Sequence, residues 1–143
     1  GYDLLEELLD SGKALEKFKE FVSGQSGNSE VVENYDLLPK AKEIVEVKSP
    51  KEGYITKINA LEVGITAMEI GAGRETKKDK INLAVGVVLN KKHGDYVKEE
   101  EILAYLHLEN LEQKDKAVKN IRESFTISKS APKKRELIYN VIR

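Results

Sequence analysis

Cysteine is absent from the 143 residues, so disulfides, thiolate nucleophiles and cysteine-ligated metal centres are excluded at the outset. The same absence fits a reducing cytoplasm. Tryptophan is missing too, and three phenylalanines and six scattered tyrosines leave the core to aliphatic side chains. No apolar run approaches the roughly 20 residues that a membrane helix needs, and no charged-then-apolar signal segment opens the sequence. A soluble, cytoplasmic protein without a membrane partner is the expectation.

The length is that of one ordinary domain, enough to withdraw roughly 68 to 70% of the unfolded chain's surface from water. Net charge is only −1, but it is unevenly placed. Residues 1–47 hold eleven acids against five bases, and residues 114–143 hold three acids against nine bases. Nucleic-acid binding wants such charge interleaved with aromatics, and Phe125 and Tyr139 are the only aromatics there. The basic tail is therefore expected to be a solvated or partner-facing surface, with no nucleic acid. Gly1 leads at once into a helical pattern, as in a piece of something longer.

Leu4, Leu5, Leu8 and Leu9 recur at helical spacing; "DSGK" interrupts, and Ala14, Leu15, Phe18, Phe21 and Val22 resume the stripe. One bent helix or two short ones are expected, with Ser11 capping the second start and Gly24 and Gly27 ending it in left-handed conformations. Residues 24–39 read as a polar connector. From Lys40 the period changes to two. "EIVEVKSPKEGYITKINA" predicts a hairpin turning at "SPKEG". "LEVGITAMEIGAG" predicts a short helix stopped by Gly71 or Gly73, and "KINLAVGVVLN" a strand buried on both faces. "YVKEEE" and "ILAYLHL" predict a strand pair around an acidic turn. Residues 111–123 return to a helical period, followed by "SFTIS", a polar stretch with Pro132, and "ELIYNVIR" as strand or tail. The order favours α+β.

"MEIGAGRETKKDKI", residues 68–81, sets Gly71, Gly73 and Arg74 beside three lysines and raises the question of a phosphate cradle. It matches neither the P-loop nor the dinucleotide fingerprint, and it follows a helix, whose C-terminus presents carbonyls and repels anions. Arg74 and Lys77 suit that end as cations. Structural capping is the first expectation for the loop, with Gly73 in a left-handed or otherwise glycine-only position where the helix ends, and anion contact the second. His93 falls in a turn and His107 in a strand, with no second histidine at i+4, so neither a metal site nor a histidine base is expected. No serine sits in a nucleophile elbow and no carboxylate pair implies acid and base roles. No catalytic residue, metal or cofactor is expected within the chain.

Two resemblances remain. "VKSPKEGYITKI" with "NKKHGDYVKEEEILAYLH" resembles the halves of a biotinyl or lipoyl carrier domain, but Glu69 stands where the carrier lysine would be. More specifically, "GKALEKFKEFV", "LLPKAKEIVEVKSPKEGYITKI", "AMEIGAGRETKKDKINLAVGVVL", "KKHGDYV" and "ILAYLH" together resemble the C-terminal part of a pyrimidine-nucleoside phosphorylase, the group that includes thymidine phosphorylase. The likeness runs from about Gly12 to the closing "LIYNVIR". It implies a hammerhead-like α+β domain related to barrel-sandwich hybrids at residues 40–143, preceded by a helical segment and connector at 1–39. It also implies reversible phosphorolysis by a larger, homodimeric enzyme, whose base- and phosphate-holding residues lie N-terminal to everything here. A nucleotide (AMP) phosphorylase is the runner-up within the group. One departure is "EEEIL", which lacks the glycine common before E-x-L; a changed β-turn is the expected consequence.

Overall fold

The computed structural model describes residues 1–143 except 75, 134–137, 139 and 143. Half of "ELIYNVIR" (residues 136, 137, 139 and 143), and with it the expectation of a strand or tail, lies outside the described residues. The chain divides into two compact units, Gly1–Pro39 and Lys40–Arg143.

In the first unit the leucine stripe becomes α1 (Tyr2–Asp10) and the mixed aromatic stripe α2 (Lys13–Gly24). Two helices form because Gly12, at φ 75, turns the chain left-handed between them. Ser11 is still right-handed and closes α1, so it does not cap α2 as expected; its N–H donates to the Glu7 carbonyl. The end of α2 also differs from expectation. The left-handed residue is Ser26 (φ 61), not Gly24 or Gly27. The N–H groups of Ser26 and Gly27 donate to the carbonyls of Ser23 and Val22, each at 2.9 Å. This is a Schellman closure, which satisfies carbonyls that the helix leaves free. The polar connector then holds two single-turn 3-10 helices, Ser29–Val32 and Tyr35–Leu37. Asn28 and Asn34 start them, each side-chain oxygen accepting an N–H two residues on.

The second unit is α+β, as expected. Its strands are β1 (Glu43–Lys48), β2 (Gly53–Ile58), β3 (Gly86–Leu89), β4 (Tyr96–Val97), β5 (Ile102–Leu108) and β6 (Phe125–Ser128). They build two three-stranded antiparallel sheets, ordered β1-β5-β3 and β4-β2-β6. Every strand therefore lies in a different sheet from the one before it. Helices α3 (Ala60–Ala67) and α4 (Lys114–Glu123) complete the unit. Val45, Val47, Ile55, Val97, Leu103, Leu106, Ile121 and Ile127 belong to one core cluster drawn from both sheets and α4. Burying each such side chain stabilises by roughly 1.5 to 3 kcal/mol before entropy is counted.

This alternation overturns both expected pairings. β1 and β2 do not form a hairpin, because β1 pairs with β5 while β2 pairs with β4 and β6. The acidic turn likewise joins β4 and β5 without pairing them. The physical cause is visible at Ser49, buried in the β1–β2 turn. It bonds the β4–β5 turn instead of closing a hairpin, donating its N–H to the Glu101 carbonyl (2.8 Å) and accepting from Glu100 N–H (2.9 Å). The run "KINLAVGVVLN" also departs from expectation. Only Gly86–Leu89 is strand, at a sheet edge, with Val88 and Leu89 exposed. Its first half turns at Asn82, whose side chain accepts from Ala84 N–H at 2.9 Å.

Candidate functional site

The glycine and lysine loop follows α3 directly. The helix widens into a π-helical turn over Met68–Ala72 and stops at Gly71, which takes φ 105 and ψ 3. A side chain is strained there, so Gly71 supplies the left-handed residue. Gly73, expected in a left-handed or otherwise glycine-only position, is not left-handed but extended, at φ −138 and ψ −175. Its glycine requirement comes from a close approach to Met68 and not from handedness: an added Cβ would lie 3.0 Å from Met68 Cγ and 3.2 Å from Met68 Cα.

The freed carbonyl of Gly71 accepts from the Asn82 N–H at 2.9 Å. Among the described residues, Arg74 and Lys77 make no hydrogen bond to the carbonyls of this turn. Sequence reasoning thus missed Asn82, whose only signal was a polar residue inside an apolar run. The loop's far side is closed by Thr76 and Asp79. Thr76 N–H donates to Asp79 Oδ2 (2.7 Å), and the Thr76 hydroxyl donates to Asp79 Oδ1 (2.8 Å). Thr76 and Asp79 have the S/T-x-x-D/E spacing of reciprocal caps, a signal that the sequence did carry. The remaining cations, Arg74, Lys77, Lys78 and Lys80, are exposed. Four like charges on a bonded loop make a basic edge facing water.

Glu69 marks the other side of the π turn. Lys116 on α4 donates to its Oε1 at 2.9 Å, beside a cleft of about 120 Å³ lined also by Ile70, Gln113 and Ala117. Binding sites for drug-sized ligands usually measure about 300 to 1,000 Å³, larger than this cleft. The carrier-lysine position is thereby filled by an ion-paired carboxylate on a helical turn.

The charged tail is partly spent inside the fold. Lys114 pairs with Glu43 at 2.9 Å, and Arg122 Nε donates to the Lys48 carbonyl at 3.2 Å. Phe125 is buried and Tyr139 lies outside the described residues. His107 is half-buried on the central strand β5, opposite Ile44 and Gly86. His93 lies in the loop before β4. Among the described residues no group of three His, Asp or Glu side chains is placed to hold a metal ion, and no helix is long and apolar enough to cross a membrane.

Electrostatic perturbation is local. Lys91 bonds the Glu101 carboxylate and the Lys98 N–H donates to it at 2.8 Å; the lysine first, then the backbone donor, hold that carboxyl below its ordinary value. Bonds from Lys19 to Glu16 and Glu33 raise the lysine. Burial, then the nearby charge of Glu52, raises Tyr96, which meets Tyr54 edge-on with ring centroids 5.0 Å apart. None of these groups borders the basic loop in sequence, and each is paired structurally.

The fold is thus a small α+β unit without an assembled reaction centre among its described residues. Residues 54–128, from β2 through β6, match the pyrimidine nucleoside phosphorylase C-terminal domain, and the chain belongs to that family. It is 46% identical over 125 residues to the pyrimidine-nucleoside phosphorylases of Staphylococcus aureus strains RF122 / ET3-1, USA300 and N315. Each alignment covers 87% of this chain and 29% of the relative, so the chain spans under a third of the length of those curated proteins.

Proposed function

We propose that this chain is the C-terminal, non-catalytic portion of a cytoplasmic enzyme that reversibly phosphorolyses pyrimidine nucleosides, releasing the free base and a (deoxy)ribose 1-phosphate. The carrying observation is the 46% identity to proteins of that name over only 29% of their length. Phosphate and nucleoside bind in the remainder of the polypeptide, and the whole enzyme is a homodimer. The domain proper is residues 40–143; residues 1–39 are its helical approach and connector.

Gly71, Gly73, Arg74 and Lys77 then have an indirect role. Gly71 and Gly73 fix the backbone, while Arg74 and Lys77 form a basic edge that borders the catalytic cleft or the contact with the catalytic region without ligating phosphate. Bonds from Asn82 and within Thr76–Asp79 make that edge rigid, which supports this assignment.

Incubating the isolated chain with thymidine or uridine and phosphate, and following base release, tests the reading. No turnover above a mock-purified control is expected, while the full-length protein releases pyrimidine. Turnover by the isolated chain, or none by the full-length protein, would overturn it.

A further inference from the structure

We infer that Thr76 and Asp79 are a positioning pair for phosphorolysis: together they shape the turn that presents the loop's cations to incoming phosphate. This inference rests on the reading that the chain is part of a phosphorylase whose cleft the loop borders.

The loop is closed at two levels. At its neck the Asn82 N–H donates to the Gly71 carbonyl at 2.9 Å, so residues 72–81 leave and rejoin the domain at one place. Surface loops of roughly 6 to 16 residues with their ends held close are frequently functional. At its tip the Asp79 N–H donates to the Thr76 carbonyl at 3.2 Å, which makes Thr76–Asp79 a four-residue turn with Lys77 and Lys78 at its corners. Both oxygens of the Asp79 carboxylate then return to Thr76. Oδ2 accepts from the N–H at 2.7 Å and Oδ1 from the hydroxyl at 2.8 Å. Bonds to an ionised acceptor are roughly twice as strong as neutral ones. One pair of residues thus closes the turn three times, and its corner lysines stand exposed.

Charge alone argues against an acid at this place. Residues 74–80 hold four bases, Arg74, Lys77, Lys78 and Lys80, against two acids. A field of one sign is what draws a charged substrate in, so an edge that gathered phosphate by charge alone would be stronger without Asp79. The carboxylate opposes the attraction and supports the shape. Shape governs here, because Asp79 commits both oxygens to Thr76 and through it sets the two corner lysines and Arg74 just before the turn. The two effects have opposite signs, and removing Asp79 separates them.

The test uses full-length protein that has first been shown to release pyrimidine from its nucleoside, with inorganic phosphate as the varied substrate at low ionic strength. Asp79→Ala should lower kcat/KM for phosphate by about tenfold, the low end of what electrostatic steering contributes to association, although it makes the loop one charge more positive. Asp79→Asn keeps a side-chain acceptor for the Thr76 N–H and should restore most of that loss. Thr76→Val should lower kcat/KM in the same direction. The double variant Thr76→Val with Asp79→Ala should be no worse than Asp79→Ala by more than about twofold, because two residues acting as one unit do not add. Should Asp79→Ala fail to give a folded protein by thermal melt, Thr76→Val carries the same expectation. An unchanged or raised kcat/KM in folded Asp79→Ala, or losses that multiply in the double variant, would overturn the inference while leaving the functional assignment intact. Absence of phosphorolysis before any substitution would instead overturn the assignment on which it rests.

Discussion

Gly73 passes so close to Met68 that a β-carbon built on it would lie 3.1 Å from Met68 Cβ and 3.2 Å from Met68 Cα. The Cα cannot swing aside, so the extended strand leaving the π turn must itself shift if any side chain is added. Gly71, two residues earlier, has ordinary space for a β-carbon but a φ of 105 that penalises one. The two glycines are therefore required for different reasons. Gly71→Ala and Gly73→Ala should each destabilise by about 1 kcal/mol or more. Thermal melts of the two variants check this, and an unchanged melt for either would remove the reason given for that position.

Glu100 stands where the resemblance to the pyrimidine-nucleoside phosphorylases implies a glycine, and its φ is 64. A positive φ at the third residue of a turn is the position where glycine is normal. The side chain is exposed and brings no hydrogen bond from a described residue to offset the strain. The missing glycine thus costs conformational energy, which is more than the simple change of turn expected from the sequence. Glu100→Gly should raise stability by about 1 kcal/mol, the left-handed penalty less the extra entropy of an unfolded glycine. Chemical denaturation midpoints at constant m-value measure it, and a lowered midpoint would contradict it.

Glu101, the next residue, links that turn to Lys91. Its carboxyl is held below 4.5 chiefly by the Lys91 bond. A depressed folded value means that the pair contributes stability above the unfolded carboxylate value and loses it as pH falls through the folded one. Acidification below 4.5 should therefore destabilise the wild-type chain more steeply than Glu101→Gln, which has no proton to take up. Melting temperatures recorded down the acid limb for both proteins decide it. Parallel curves would show that the pair is solvated too well to matter, as exposed pairs often are.

The sequence made the elements legible and hid their partners. Alternation along "EIVEVK" and "GYITKI" was enough to predict two strands, because period-two patterning depends only on which face is buried. It says nothing about which strand lies alongside, and here each strand answers one further along the chain than its neighbour. Ser49 carried no sign that it would bond residues 100 and 101 rather than close a hairpin. α4 was legible because Ala117, Val118 and Ile121 meet the core through a helical stripe. At the loop, the glycines announced a stop, but their separate causes depend on the position of Met68 and on a backbone angle. Neither is visible without coordinates. The family likeness was legible because "AMEIGAGR" and "KKHGDYV" are dense in glycines and fixed turns.

Arg74 is exposed at the edge of a loop whose shape is held by other residues: Asn82 on one side, Thr76 and Asp79 on the other. Its removal should therefore leave the loop's backbone in place and subtract one positive charge from the edge. If that edge steers phosphate or holds a closed state in the full-length enzyme, Arg74→Ala lowers turnover or stability while phosphate KM changes by less than about tenfold. Direct ligation would behave differently. Losing a charged hydrogen bond to the anion costs roughly 1.5 to 3 kcal/mol, a rise of about 10- to 150-fold in KM at unchanged turnover. Steady-state kinetics with phosphate as the varied substrate separate the two outcomes. Raising the ionic strength should weaken the steering effect and narrow the gap between Arg74→Ala and wild type, because exposed charges more than about 10 Å apart are screened at 0.1 M salt. A gap that persists in high salt, with KM raised far beyond tenfold, would make the loop a phosphate cradle.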